Sequence, residues 1–295
     1  MEEGGKLVPE GTPVAPVVVV GLSDIGCASS RALLSLTSTS PEIVEVYGSV
    51  VFPPFLQQTE DEKEDKVKEL AFKCSPSEET QTFGRSLSLI DTITFLQRSS
   101  QQPLVTFFVV NTKVPEHLAS LLAHHLVNLC SSHHVFKVVL LSALHLVKAS
   151  YDQVFHLSHN TSSSSSSSSS RLSSLLGSLG AEEKAKGETL KIESFPEEWI
   201  ASTPVADGLL PALLMFLQVE GIETHCLVNR GNRVLSSSSS SSSCDDGLQA
   251  VQTIGNAATA LFPRLSLKLD AARLSRLVPH SIQRSDIIHN TRMYS

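Results

Sequence analysis

Four consecutive valines at residues 17–20 constrain the fold more than any other stretch of the chain. β-branched residues favour extended backbone, and a run without a polar member is typical of a strand buried on both faces. Gly21 and Gly26 bracket the turn that follows, and residues 27–36 have the pattern of a helix. A strand, a glycine turn and a helix in this order open a βαβ unit, which predicts parallel strands covered by helices.

The rest of the chain continues this alternation of strands and helices. Apolar patterns predict further strands at residues 43–52, 104–110, 135–141 and 224–228. Helices are predicted at residues 115–129, 212–219, 245–261 and 271–277, with Gly221 ending the second and Asp245 or Asp246 capping the third. We therefore predict an α/β fold, a three-layer sandwich with a mostly parallel sheet between two layers of helices.

Two serine tracts, residues 162–170 and 236–243, interrupt the second half of the chain. Runs of one small polar residue bury no apolar area, so we predict that each tract is a disordered surface loop. Each half of the chain lacks enough predicted strands to close a sheet alone, which favours loops within one domain. The predicted organisation is a mobile lead at 1–13, a single α/β domain at 14–284 with serine-rich loops at about 158–175 and 235–244, and a flexible tail at 285–295.

Composition excludes several classes of protein. Thirty acidic residues against 23 basic ones give a net charge of −7, which argues against a nucleic-acid partner. Five cysteines are scattered without CxxC spacing, which is typical of reduced thiols in the cytoplasm and nucleus. The start of the chain lacks the pattern of a signal peptide, and no apolar run reaches the roughly 18 residues of a membrane span. We expect a soluble intracellular protein without a membrane partner.

The turn at residues 21–26 lies where a phosphate-binding loop would lie, between a strand and a helix. Its two glycines are not followed by Lys-Ser/Thr, and GxGxxG spacing is missing, so neither a P-loop nor a dinucleotide fingerprint is predicted. Ser23 resembles the serine of a nucleophile elbow, but Ile25 stands where GxSxG requires glycine. We interpret the glycines as requirements of a tight strand-to-helix turn.

The remaining candidates for chemistry do not assemble into a site. Eight histidines lie between His117 and His159, but none belongs to an HExxH motif, and we expect solvated or capping roles. Cys130 near them lacks a third, orienting group. Trp199 is interpreted as a core residue, with an interface anchor as the alternative. We therefore predict no catalytic residue, no metal ligand and no cofactor, and a chain that binds other proteins.

The last three residues, Met293, Tyr294 and Ser295, have the chemistry of a docking tail. The tyrosine ring buries apolar area while its hydroxyl keeps a hydrogen-bond partner, and the terminal carboxylate pairs with a cation in a pocket. From Arg264 onward six basic and two acidic residues make this end cationic, which favours an acidic partner or is simply a solvated face. A frayed terminus is the other interpretation of the tail.

The chain resembles the family of proteasome assembly chaperones in three stretches. These are the strand, glycine turn and helix of residues 17–36, the apolar helix and following strand from Leu210, and the ending at 285–295. The family also ends in a short polar, isoleucine-containing stretch that closes on a hydrophobic residue, tyrosine and Ser or Thr. The three stretches cover well under half of the chain, and the serine tracts and many histidines depart from the family.

The resemblance implies an α/β sandwich similar to phosphorylase-like folds but without their catalysis. It also implies a heterodimer with proteasome assembly chaperone 2 that scaffolds the ring of α-subunits in the proteasome core particle and prevents premature pairing of rings. In this family Met293 would pack into a groove between α-subunits, Tyr294 would lie against the groove wall, and the Ser295 carboxylate would pair with a pocket lysine.

Two other functions remain open from the sequence. An adaptor or activator of the mature proteasome would use the same tail on the finished particle. An enzyme of the phosphorylase or hydrolase type would use the loop at residues 21–26, with Ser23 and Asp24 as its polar groups.

Overall fold

The computed structural model describes most of the predicted domain in several ranges: residues 14–50, 73–74, 89–111, 114–146, 149–159, 191–200, 205, 208–231 and 243–278. Three of the sequence predictions lie outside these ranges: the lead at 1–13, the serine tracts except for Ser243, and the tail at 285–295.

An eight-stranded sheet forms the middle layer of the described part of the chain. From one edge to the other its strands are β3 (Ile43–Ser49), β5 (Ile90–Gln97), β6 (Pro103–Val110), β1 (Val17–Gly21), β7 (Lys137–Leu144), β10 (Glu223–Arg230), β8 (Gln153–His159) and β9 (Lys191–Ser194). The four central strands β6, β1, β7 and β10 are parallel, as are β8 and β9. The other three pairs are antiparallel. The predicted mostly parallel sheet is therefore confirmed.

Two short pairs of strands lie outside this sheet. They are β2 (Leu36–Ser38) with β11 (Leu267–Leu269), and β4 (Lys73–Cys74) with β12 (Leu277–Val278). Both pairs are antiparallel, and both join the end of the described chain to segments far earlier in the sequence.

Helices cover the two faces of the sheet and confirm the predicted layers. On one face lie α2 (Glu116–Ser132), α3 (Glu197–Ile200) and α4 (Leu209–Val219), and on the other lie α1 (Ala28–Ser35), α5 (Ser243–Leu261) and α6 (Ala271–Arg276). Short 3₁₀ turns occur at Ile25–Cys27 and Pro263–Leu265. Within the described ranges, none of the helices has the length and apolar character needed to cross a membrane.

The valine run supplies both apolar cores. Val18 and Val20 belong to the core under α2 and α4, whereas Val17 and Val19 belong to the core under α1 and α5. Successive side chains of a strand point to opposite faces, so a strand between two helical layers needs an apolar residue at every position. Each fully buried valine contributes about 1.5–3 kcal/mol relative to an exposed one.

The C-terminus of α4 forms the turn that Gly221 predicts. Gly221 has a φ of +70°, the left-handed conformation that glycine adopts without strain. The N–H of Ile222 donates to the carbonyl of Leu217 at 3.1 Å, and the N–H of Gly221 donates to that of Gln218 at 3.2 Å. These two bonds form a Schellman motif, and Ile222 and Leu217 both belong to the core beneath the helix.

The predicted starts of two helices are wrong. α4 begins at Leu209 and not at residue 212. α5 begins at Ser243, so Asp245 and Asp246 lie inside its first turn and not at the N-cap position. Acidic residues are favoured both at a cap and within a first turn, so the sequence pattern does not distinguish the two positions.

Candidate functional site

The residues predicted to dock, Met293, Tyr294 and Ser295, lie outside the described residues. The structure does describe the last elements before them, α6 and β12, which end at Val278.

Asp270 fixes the start of α6. Its Oδ1 accepts hydrogen bonds from the backbone N–H of Ala272 at 2.8 Å and of Arg273 at 3.2 Å. Its own N–H donates to the carbonyl of Ser35 at 2.8 Å. An N-cap aspartate satisfies two backbone donors that the helix cannot pair internally, and the bond to Ser35 ties this cap to the end of α1.

A polar cluster joins α6 to the edge strand β3. Arg273 Nη1 donates to the hydroxyl of Tyr47 at 3.0 Å and lies 3.5 Å from Glu45 Oε2. The Tyr47 hydroxyl donates to the same carboxylate oxygen, and Glu45 Oε1 accepts from the N–H of Ser38 at 2.6 Å. The side chains of Arg273 and Glu45 are 16% and 15% exposed, so the pair is partly shielded from water. Burial raises the pKa of Tyr47, and the hydrogen bond to Glu45 raises it further. We call Glu45, Tyr47, Asp270 and Arg273 the α6 clamp.

The residues after α6 are also anchored. Leu277 is 1% exposed and belongs to the core under α1 and α5, and Leu277 and Val278 pair with Cys74 and Lys73. The described chain therefore ends in an anchored strand, β12, on the face that carries α1, α5 and α6.

The side chain of Asp24 connects the loop at residues 21–26 to α1 and β7. Its Oδ2 accepts from the hydroxyl of Ser29 at 2.5 Å and from the backbone N–H of Ala143 at 2.5 Å, and its Oδ1 faces the N–H of Ser29 at 3.4 Å. These bonds tie the loop to the first turn of α1 and to the end of β7. Both oxygens are thus engaged by the protein itself, and a carboxylate here repels an anionic ligand such as phosphate.

Gly21 allows α1 to approach the sheet closely. A Cβ at this position would lie 2.7 Å from Leu33 Cδ1 and 3.2 Å from the carbonyl oxygen of Ser29. The Ser30 hydroxyl bridges the same region, reaching the carbonyls of Leu22 at 3.0 Å and Val110 at 2.5 Å. Gly21 is needed because α1 packs too close to β1 to leave room for a Cβ. The sequence predicted the glycine for a different reason, the tight turn. Ser23 Oγ contacts Cys27 Sγ at 3.6 Å.

Most of the histidines predicted to be solvated or capping are at least partly exposed where the structure describes their side chains, but the prediction is wrong for His156, which is 5% exposed and pairs with His225. His117 and His124 lie on the exposed face of α2, and His134 and His145 are exposed as well. His125 is partly buried, and desolvation followed by the neighbouring His124 lowers its pKa. Within the described ranges, no group of three or more His, Cys, Asp or Glu side chains is placed to hold a metal ion.

A buried polar chain across β7, β10 and β8 was not predictable from the sequence pattern. His156 Nε2 lies 2.9 Å from His225 Nδ1, His225 Nε2 lies 2.8 Å from Glu223 Oε1, and Lys137 Nζ lies 3.1 Å from the same oxygen. Burial lowers the pKa of His225 and outweighs the opposing effect of Glu223. Burial acts to raise the pKa of Glu223, but the hydrogen bonds from His225 and Lys137 bring it below its usual value.

Trp199 takes the predicted core role. Its ring makes edge contacts with Phe155 and Phe195, at centroid distances of 5.3 and 6.0 Å. The tryptophan is half-buried against the core under α2 and α4. Cys130 and Cys226 lie in the same core, and burial raises the pKa of each thiol to about 12, which disfavours the reactive thiolate.

These elements define a class of α/β protein in which a sheet with a parallel centre lies between two helical layers. PbaB of Pyrococcus furiosus, described as an archaeal proteasome activator, has a similar fold, with a TM-score of 0.50, 11% identity and 97% of each chain covered. A Thermoplasma acidophilum protein of unknown function matches with a TM-score of 0.50 and 10% identity, over 97% of this chain and 93% of its own. At these identities the likeness concerns the fold.

PbaA of Pyrococcus furiosus, described as an archaeal homolog of proteasome-assembly chaperone, aligns with a TM-score of 0.46 and 13% identity, over 96% of this chain and 93% of its own. No protein-family model matches the chain, and no curated protein sequence matches it.

Proposed function

We propose that this chain is a proteasome assembly chaperone. It pairs with a second chaperone, proteasome assembly chaperone 2, and holds α-subunits of the core particle while their ring forms. Contact with the α-subunits is made by Met293, Tyr294 and Ser295. In this role the chain is a binding protein and not an enzyme, and it acts in the cytoplasm and nucleus, as its scattered cysteines suggest.

The observation that carries a proteasome-related role is the likeness of fold to PbaB, an archaeal proteasome activator, over 97% of both chains. A body of this fold and a hydrophobic-Tyr-Ser ending occur together in one chain. Neither feature alone would specify a partner, because a fold hosts many functions and a three-residue ending occurs by chance.

The tail chemistry suits a transient complex. Met293 would fill an apolar groove between α-subunits, the Tyr294 ring would add buried area while its hydroxyl keeps a hydrogen bond, and the Ser295 carboxylate would pair with a lysine. A three-residue contact supplies modest affinity. A heterodimer in which both chaperones engage the ring would gain avidity, because the second contact becomes intramolecular.

A second candidate function is activation of the mature proteasome, which the description of PbaB favours. The same tail would then dock on finished particles. The two functions differ in what the chain binds: an assembly chaperone recovers α-subunits without mature catalytic β-subunits, whereas an activator recovers complete particles and increases their peptide hydrolysis.

The enzyme candidate is the least supported. A phosphorylase or hydrolase would need Ser23 or Asp24 available to a substrate. Asp24 instead holds the loop to Ala143 and Ser29 through both carboxylate oxygens.

The experiment is a pull-down from cell lysate, quantified by mass spectrometry, with the tagged full chain, the chain lacking residues 293–295, and Thr291→Ala as a matched control. We expect the full chain and the control to recover α-subunits and a second chaperone, without mature β-subunits. The truncated chain should keep the second chaperone and lose α-subunits about tenfold or more. Full recovery of α-subunits by the truncated chain would contradict tail docking, and recovery of mature particles would favour the activator.

A further inference from the structure

We propose that the outward surface of α2 and α4 is the face on which the second chaperone binds. An apolar centre would meet an apolar patch of that partner, and an acidic rim would meet its Lys and Arg side chains. The inference rests on the proposed function and assigns the surface through which the two chaperones pair. We call this surface the α2–α4 face, and the outward residues of its apolar centre are Pro211, Met215, Phe216 and Val219.

The two helices form one continuous surface. A Cβ built at Gly208, directly before α4, would lie 3.3 Å from the Cβ of Ala119 in the first turn of α2. Near the other end of α2, the hydroxyl of Ser131 donates to Glu220 Oε2, directly after α4, at 3.1 Å. The helices therefore run side by side in the same direction, along roughly the 25 Å that the 17 residues of α2 span.

The outward side of α4 is apolar where a surface helix is normally polar. Met215 and Val219, one turn apart, are 51% and 76% exposed. Beside them the partly buried ring of Phe216 makes an edge contact with that of His124 on α2, at a centroid distance of 5.4 Å. A helix that is apolar all round is normally covered on every side, and the centres of protein interfaces are enriched in methionine and poor in charged residues.

Phe136 adds an exposed aromatic ring at the same edge of the sheet. The next residue, Lys137, pairs with Glu223 at the start of β10, just after the turn that ends α4. Phe136 is 57% exposed, and together with Val219 it has the highest exposure among the large apolar side chains in the described part of the chain. Neighbouring exposed apolar side chains mark a contact surface more strongly than scattered ones do.

Acidic residues border the α2–α4 face. Among the helices on this side of the sheet, the exposed charged residues are Glu116 on α2 and Glu198 on α3, and Glu220 follows α4. Neither Lys nor Arg occurs in the sequences of α2, α3 and α4, whereas α1 and α6 on the opposite side carry Arg31 and Arg273. An acidic rim around an apolar centre is complementary to an apolar patch bordered by Lys and Arg.

This charge pattern disfavours a second copy of the chain as the partner. In a two-fold dimer both copies contribute the same surface, so the acidic rims would face each other. Like charges brought together at an interface weaken binding and suppress the wrong partner. A different protein can supply the opposite charge, and in the proposed function that protein is the second chaperone.

The test measures the Kd of the full chain for purified proteasome assembly chaperone 2. Met215→Glu and Val219→Glu place a charge in the apolar centre. Leu89→Glu is their matched control, because Leu89 is an exposed apolar residue before β5, at the opposite edge of the sheet from Val219. Glu220→Lys reverses one charge of the rim, and Glu42→Lys, at the exposed turn before β3, is its control.

We expect Met215→Glu and Val219→Glu each to raise the Kd about tenfold or more, since a carboxylate buried among apolar groups has no partner. Leu89→Glu should stay within about twofold of the natural chain. Glu220→Lys should slow association and Glu42→Lys should not, because rim charges act mainly on the association rate. An unchanged Kd in both centre variants would overturn the proposal, as would an equal loss in Leu89→Glu.

Thiol labelling at position 215 measures coverage of the face directly. In Met215→Cys, read by peptide mass spectrometry, we expect rapid labelling of the isolated chain and labelling about tenfold slower in the complex. Equal rates would overturn the proposal. Slow labelling of the isolated chain would overturn it too: protection that grows with concentration would identify a second copy as the occupant, and protection independent of concentration would identify another segment of this chain.

The same measurements separate this inference from the proposed function. If the natural chain does not bind proteasome assembly chaperone 2, the pairing in the proposed function is wrong, and the face has no such partner. If the natural chain binds and both centre variants bind equally well, pairing holds and only the assignment of the face is wrong.

Discussion

The carboxylate of Asp24 accepts a 2.5 Å hydrogen bond from the backbone N–H of Ala143, 119 residues further along the chain. The bond connects the loop after β1 to the end of β7, at the carboxyl ends of the parallel strands. This is the edge at which open α/β sheets usually bind ligands. In this protein the Asp24 carboxylate, which lies at this edge, instead binds the loop after β1 to the end of β7. This favours a structural role for Asp24.

Removal of the Asp24 carboxylate should destabilise the fold. Asp24→Ala leaves the N–H of Ala143 and the hydroxyl of Ser29 without their acceptor, so the free energy of unfolding should fall by about 1–3 kcal/mol for each buried donor. Asp24→Asn should lie between this variant and the natural chain, since one amide oxygen can still face Ala143. Ser23→Ala should change stability by less than about 0.5 kcal/mol. Urea unfolding measures all three, and an Asp24→Ala chain as stable as the natural one would contradict the assignment.

Gly21 should not tolerate a side chain. The added methyl of Gly21→Ala would lie 2.7 Å from Leu33 Cδ1 and 3.2 Å from a backbone oxygen, so α1 must shift or Leu33 must leave its rotamer. Overpacking of this kind costs about 1–3 kcal/mol. The shift in thermal unfolding temperature checks it, and an unchanged temperature would show that α1 moves away without strain.

A side chain at Gly221 should be unfavourable for a different reason than at Gly21. There is room for the side chain, but the left-handed backbone conformation is one that residues other than glycine rarely adopt. No atom lies within 4 Å of a Cβ built there, but φ is +70°. Gly221→Ala should cost about 1 kcal/mol through the left-handed conformation alone. Gly221→Asn should cost less, since asparagine adopts this conformation more readily than alanine. If alanine and asparagine are equally destabilising in chemical unfolding, the argument from φ is wrong.

Stability should fall as the pH decreases from 7 to 5, with His225 as one source. Its pKa in the folded chain is below the ordinary 6.5, so below about pH 6.5 the unfolded chain binds a proton that the folded chain excludes. Proton uptake by the unfolded state alone lowers the free energy of unfolding, by at most about 1.4 kcal/mol per pH unit for one group. Glu223 acts in the same direction at more acid pH, because its stabilisation is lost as the pH falls through its lowered folded value.

The variant His225→Gln tests this assignment. It should be less stable than the natural chain at pH 7 but should show a flatter dependence of unfolding free energy on pH between 7 and 5. Val228→Ala, a buried non-titrating change on the same strand, should lower stability without altering the slope. An unaltered slope in His225→Gln would remove His225 as a source of the pH dependence.

The central strands were predictable because nearly all of their residues are apolar, a pattern that indicates a strand buried on both faces. The run Val17–Gly21 and the strand Pro103–Val110 are almost wholly apolar, as strands between two helical layers must be. β5 is not predicted, because Asp91, Thr92 and Thr94 give it a polar pattern although all three are buried. Their burial depends on the neighbouring strand: Asn111 donates to Asp91 at 2.8 Å, and the hydroxyls of Thr94 and Thr106 are 3.1 Å apart.

The polar contacts of the candidate sites were not predictable either, because they too depend on residues distant in sequence. Two of their hydrogen bonds join residues far apart in sequence: His156 and His225 are 69 positions apart, and Asp24 and Ala143 are 119 positions apart. No local sequence pattern predicts such partners. The α6 clamp also depends on distant residues, because Arg273 and Tyr47 are 226 positions apart. By contrast, the docking role of residues 293–295 is a prediction from sequence alone, because it depends on the chemistry of three adjacent residues and not on contacts within the fold.

The most direct test of the central claim is the Kd of the chain, paired with its second chaperone, for isolated α-subunit rings, measured with the natural ending and with Tyr294→Ala. The proposal predicts that Tyr294→Ala weakens binding about tenfold or more and leaves pairing with the second chaperone intact, because in the proposed complex the aromatic ring would be the largest apolar group that the tail buries. Equal Kd values for the two chains would show that the α-subunits are not held by this tail, and would contradict the account.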